Sequence, residues 1–83
     1  ASESLERALR IEARNPSVWH ELADLRLVRA EYQQAIQFAQ KSNALTSGDD
    51  VTLKRRNWNL ISVAYAALGN TQKSEEYRSK LRN

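Results

Sequence analysis

The stretch Trp19-His20-Glu21-Leu22-Ala23-Asp24 comes nearest to carrying chemistry. His-Glu-x-x-Asp is one residue away from His-Glu-x-x-His, in which two imidazoles one helical turn apart hold zinc. Such a site also needs a third ligand. This chain has a single His and no Cys, so Asp24 would stand as an isolated oxygen donor beside one imidazole. Helical packing explains the same residues: Trp19 and Leu22 face inward, while His20, Glu21 and Asp24 face outward or toward a groove.

The remaining candidates resolve similarly. Gly48-Asp49-Asp50 offers paired carboxylates, but its flanks read as helices and lack the further acids that a metal-dependent polymerase site requires. Capping of a following helix accounts for it. The two glycines are far apart, which excludes a Gly-rich phosphate loop. The serines lack an elbow motif and any second His for a proton relay. Without Cys there are neither disulfides nor thiolate metal sites. We therefore expect a non-enzymatic chain with no catalytic residue, no cofactor and no metal.

The elements that position these residues are helical. The 83 residues are 28% charged and 41% hydrophobic, with two Gly and one Pro, a balance that suits a single folded helical domain. No apolar run reaches the roughly 20 residues of a membrane span. The formal charge is +3, with acids and bases interleaved as on solvated helix faces. Lys54-Arg55-Arg56 forms a local basic run, which leaves an anionic-polymer or nucleic-acid binder as a minor alternative. No aromatic residues interleave with it to stack bases, so nucleic acid is not the expected partner. The chain opens at Ala1, inside what reads as a helix, and is expected to be a piece of a longer protein.

Superposing Trp19 on Trp58 brings further pairs into register: Leu22 on Ile61, Ala23 on Ser62, Arg26 on Tyr65, Ala30 on Gly69 and Ala35 on Ser74. Each unit reads as an indole, a branched aliphatic residue three later, then a small residue that lets a second helix approach. About three helical turns then lead to a stop, for which Gly69-Asn70 is well suited. Ala35, Ile36 and Ala39 in one unit, and Ser74, Tyr77 and Leu81 in the other, are the inward residues of the second helix.

This pattern resembles the tetratricopeptide repeat, W-x2-L-G-x2-Y followed by A-x3-F and P. The unit at 16–47 matches through Trp19, Leu22, Ala23, Ala35 and the adjacent Ile36, and the unit at 55–83 through Trp58, Tyr65, Gly69 and Asn70. Residues 1–15, ending in Ala8-Leu9-Arg10-Ile11-Glu12-Ala13-Arg14-Asn15, resemble a preceding half-repeat. Arg26 stands where the family has Tyr, Ala39 and Arg78 where it has Phe, and Ser47 where it has Pro. The tryptophans are 39 residues apart, against about 34 in the family. The excess falls at the join 48–54, as a longer loop or an extended helix. The expected fold is thus all-α: a right-handed solenoid of about five antiparallel helices over 2–14, 17–29, 32–46, 51–68 and 71–82. Trp19, Trp58 and Tyr65 belong to its core, Asn15 caps one helix and an acid near 49–50 caps another.

In this family the first helix of each pair lines a concave surface against which a peptide lies. The resemblance places Ser17, His20, Asp24, Leu27 and Val28 there from the first unit, and Arg56, Asn59, Val63 and Ala66 from the second. Chaperone-binding members use Lys and Asn to clamp a terminal carboxylate. Here His20 and Asp24 occupy those places, so no such clamp is expected. The runs Ala39-Gln40-Lys41-Ser42-Asn43-Ala44-Leu45 and Arg55-Arg56-Asn57-Trp58-Asn59-Leu60-Ile61 are similar to a group of small proteobacterial lipoproteins. That group includes the outer-membrane activators of a bifunctional peptidoglycan synthase, a class A penicillin-binding protein, in pseudomonads. The resemblance implies a periplasmic domain tethered by an upstream lipidated Cys, with that synthase as its protein partner. An adaptor in pilus or secretion assembly is the alternative it leaves open.

Overall fold

The computed structural model describes residues 15–82, four helices in the order α1 (Pro16–Val28), α2 (Tyr32–Leu45), α3 (Val51–Ala67) and α4 (Thr71–Arg82). No strand occurs among the described residues. Each bound falls within one residue of the sequence expectation. The helix expected over 2–14, and the half-repeat it would form, lie outside the described residues.

Local chemistry sets the helix ends. Asn15 Oδ1 accepts from the Ser17 amide at 3.0 Å, and Pro16 follows at the first helical position, where its missing N–H costs nothing. Asp50 caps α3 by accepting from the Leu53 amide at 3.1 Å, and Asn70 caps α4 by accepting from Lys73 at 3.1 Å. The long separation of the tryptophans is absorbed by an extra turn at the start of α3. That helix has 17 residues against 13 in α1, and both end nine residues after their Trp.

The two units close in the same way. Glu31 donates to the Arg26 carbonyl at 2.8 Å and Ala30 to that of Leu27 at 3.0 Å. Asn70 donates to Tyr65 at 2.9 Å and Gly69 to Ala66 at 3.0 Å. Both are Schellman closures, which need a left-handed residue after the cap. Gly69 takes φ 82° at little steric cost, whereas Ala30 takes φ 64° with a Cβ to accommodate.

α1 packs antiparallel on α2, α3 packs on α2 and touches α1, and α4 folds back on α3. The core is Ala23, Ala35, Ile36, Ala39, Leu60, Ile61 and Ala64, all buried. The alanines let the backbones approach, and Ile61 fills the space between them. In the second unit the positions of Ala23 and Ala35 hold Ser62 and Ser74, also buried. The Ser62 hydroxyl bonds the Ser74 carbonyl at 3.0 Å, with the two Oγ atoms 3.2 Å apart.

The tryptophans and Tyr65, expected in the core, are only half-buried; Tyr65 packs against the core cluster from its edge. Trp19 packs on Phe38 with centroids 5.6 Å apart, and Lys41 lies 5.8 Å over its ring. Lys80 lies 5.8 Å over Trp58, and Tyr65 stacks on Tyr77 at 5.9 Å. Phe38 and Tyr77, and Lys41 and Lys80, are themselves 39 residues apart. The aromatic of the second helix therefore precedes Ala39 and Arg78 by one residue. Arg26, standing for an aromatic, lies 5.9 Å over Phe38 and pairs with Glu31 at 2.7 Å.

Candidate functional site

The site is built around a buried asparagine. Along α3 the inward stripe runs Leu53, Asn57, Leu60, Ile61 and Ala64, so helical periodicity carries Asn57 into the interior, where it is 0% exposed. A buried amide is tolerated only when its hydrogen-bonding capacity is used. Asn57 Nδ2 donates to Ser42 Oγ at 2.8 Å and to Asn43 Oδ1 at 2.9 Å, both on α2. Ser42 Oγ in turn donates to the Pro16 carbonyl at 2.7 Å, at the start of α1. Thr46 Oγ1 donates to the Ser42 carbonyl at 2.6 Å and closes the end of α2.

This chain of donors fixes the remaining partner. The one hydroxyl proton of Ser42 goes to a carbonyl, so its oxygen must accept from Asn57. The amide nitrogen of Asn57 therefore faces α2, and its Oδ1 faces His20 Nδ1 at 2.6 Å. An amide oxygen can only accept, so Nδ1 carries the proton and donates. When neutral, the imidazole is the Nδ1–H tautomer, with its lone pair on Nε2. Three helices are tied together through one side chain.

His20 is half-buried, and with Asp24, Leu27, Arg56, Asn59, Leu60 and Val63 it lines a depression of about 210 Å³ between α1 and α3. Six of the nine residues expected on the concave face converge there: His20, Asp24, Leu27, Arg56, Asn59 and Val63. Ser17, Val28 and Ala66 are exposed and do not line it. Asp24 on one wall and Arg56 on the other make no ion pair among the described residues. Opposite charges thus share a groove without neutralising each other, over a partly apolar floor of Leu27, Leu60 and Val63.

The basic run is dispersed by the helix that carries it, because successive residues point roughly 100° apart. Lys54 is half-buried, Arg56 enters the groove, and Arg55 joins Val51, Trp58 and Lys80 around a separate depression of about 300 Å³. A third and larger depression, about 510 Å³, is walled by Gln33, Gln37, Gln40, Tyr65 and Asn70. Among the described residues no three His, Asp or Glu side chains gather as a metal donor set, and no helix is long and apolar enough to cross a membrane.

Sequence reasoning missed Asn57, Ser42 and Asn43. A signal for Asn57 was present, since it sits one turn after Leu53 and one before Ile61 on the apolar stripe. The pairing with His20, 37 positions away, had no local trace. The chain matches no family model, no curated protein and no solved structure.

Proposed function

We propose that this chain is a non-catalytic protein-interaction domain of the tetratricopeptide-repeat kind, and that an extended segment of a partner protein lies in the groove between α1 and α3. The observation that carries the reading is the shared geometry of the two hairpins. With the 39-residue register come equivalent Schellman closures and equivalent Lys-over-Trp contacts, and the Tyr65–Tyr77 stack takes the place of Arg26 over Phe38. Stacking of such units creates a groove from their first helices, because each unit buries its own apolar face on the next. The groove's mixed lining, with charge on both walls that pairs with no described residue and an apolar floor, suits a peptide with polar and aliphatic side chains better than a small apolar ligand.

The more specific reading follows the resemblance of the α2 and α3 sequences to the lipoprotein activators. On it, the domain belongs to the periplasm, is tethered to the outer membrane by a lipid anchor upstream, and binds a class A penicillin-binding protein. It has no catalytic residue of its own. It raises the synthase's rate by binding the active conformation more tightly than the inactive one, the only way a ligand shifts such an equilibrium. Dispersal of Lys54, Arg55 and Arg56 to different surroundings argues against an anionic polymer as the partner.

The test is a glycan-polymerisation assay with a pseudomonad class A synthase and the 83-residue chain. The expected result is a saturable rate increase, lost in the Asp24→Lys, Arg56→Glu double variant. An unchanged rate with no detectable complex removes the synthase as partner.

A further inference from the structure

We infer that the α1 wall of the groove selects an arginine side chain in the bound segment, received by His20 Nε2 together with the Asp24 carboxylate. The inference rests on the peptide-groove reading and names the chemistry of its occupant. His20 Nδ1 is committed to Asn57 Oδ1, and the direction of that bond is fixed by the Ser42 hydroxyl bonded to Pro16. The edge of the neutral ring left for the groove therefore carries a lone pair and no proton. Asp24 follows one helical turn later and is also acceptor-only. Residues four apart on a helix are neighbours, so the two acceptors stand side by side. Asp24, the one acid lining the groove among the described residues, is not paired with a cation of those residues.

A planar guanidinium presents several N–H donors in a fixed fork and fits two adjacent acceptors better than the single point charge of an ammonium. The opposite wall has the complementary character. Arg56 supplies donors and positive charge, and the Asn59 amide can bond a peptide backbone. Successive side chains of an extended segment point to opposite sides. The occupant assigned by the structure is thus a segment in which an arginine facing α1 is followed by a carboxylate facing α3. Asn57 acts as a positioning residue: it touches no partner, but it decides which imidazole nitrogen the partner meets.

Two measurements on the 15N-labelled full chain test this. Long-range 1H–15N spectra, recorded where the imidazole is neutral, should show the His20 proton on Nδ1; a proton on Nε2 overturns the inference. The second is titration with the end-capped peptide Ala-Leu-Arg-Glu-Leu-Ala and its counterpart carrying Gln for Arg. The arginine peptide should shift the resonances of His20, Asp24 and Asn59. The Gln peptide should bind about tenfold more weakly, and Asp24→Asn, an exposed change that leaves the fold intact, should remove the difference. Equal binding of both peptides in the groove overturns the arginine assignment and leaves the groove reading standing. If neither peptide shifts those resonances while a synthase periplasmic region does, the assignment alone fails. If neither peptide nor synthase shifts them, both fail.

Discussion

Asn57 is the residue on which the site and the fold both depend. Its side chain bonds His20 on one side and Ser42 and Asn43 on the other, without access to water. Truncation would leave several partly buried polar groups unpaired, each costing about 1–3 kcal/mol. Asn57→Ala is expected to destabilise the chain by about 2–4 kcal/mol in urea unfolding. Asn59→Ala, two residues away and exposed, should change stability by less than about 0.5 kcal/mol. Equal effects of the two would show that the buried network does not exist in solution. His20 and Asp24 were legible in the sequence as residues aimed at a groove. The clip that orients His20 was not, because it depends on a helix packed across from it and no local pattern encodes that approach.

Helix ends and helix contacts show what the repeat register can reveal. The second to fifth expected helices were readable almost to the residue, because Pro16, Asp50 and Gly69-Asn70 punctuate the chain through capping chemistry. Register alone also placed Ala30 opposite Gly69, yet gave no hint that Ala30 would bear the strained left-handed backbone. That strain costs about 1–2 kcal/mol and is partly offset by the smaller unfolded-state entropy of Ala relative to Gly. Ala30→Gly is expected to stabilise the chain by about 0.5 kcal/mol, and Gly69→Ala to destabilise it by about 1 kcal/mol. Since a Cβ at Gly69 would meet nothing within 4 Å, the second effect is purely conformational. Differential scanning calorimetry of both variants should show shifts of opposite sign. The half-buried indoles were misread as core. Each has a lysine over its ring, a contact that shields one face and leaves the side chain at the surface. Trp58→Ala should therefore cost about 1–2 kcal/mol, below the roughly 3–5 kcal/mol of a fully buried aromatic.

At the scale of the molecule, two hairpins of matching geometry place four polar or charged groups on facing walls of one groove. Asp24 and Arg56 make no ion pair among the described residues, and on the proposed reading two available charges of opposite sign favour a partner carrying the reverse arrangement. The all-helical character followed from composition and periodicity. The expectation of a concave face came from the family resemblance alone; the depression between α1 and α3 depends on tertiary packing that no local pattern encodes. The most direct measurement is isothermal titration of the 83-residue chain with the periplasmic region of a class A penicillin-binding protein, alone and with the groove charges reversed. Saturable binding is expected, weakened at least about tenfold in Asp24→Lys and in Arg56→Glu, with no matching loss for Arg55→Glu outside the groove. Binding indifferent to Asp24 and Arg56 but abolished by Arg55→Glu would contradict it.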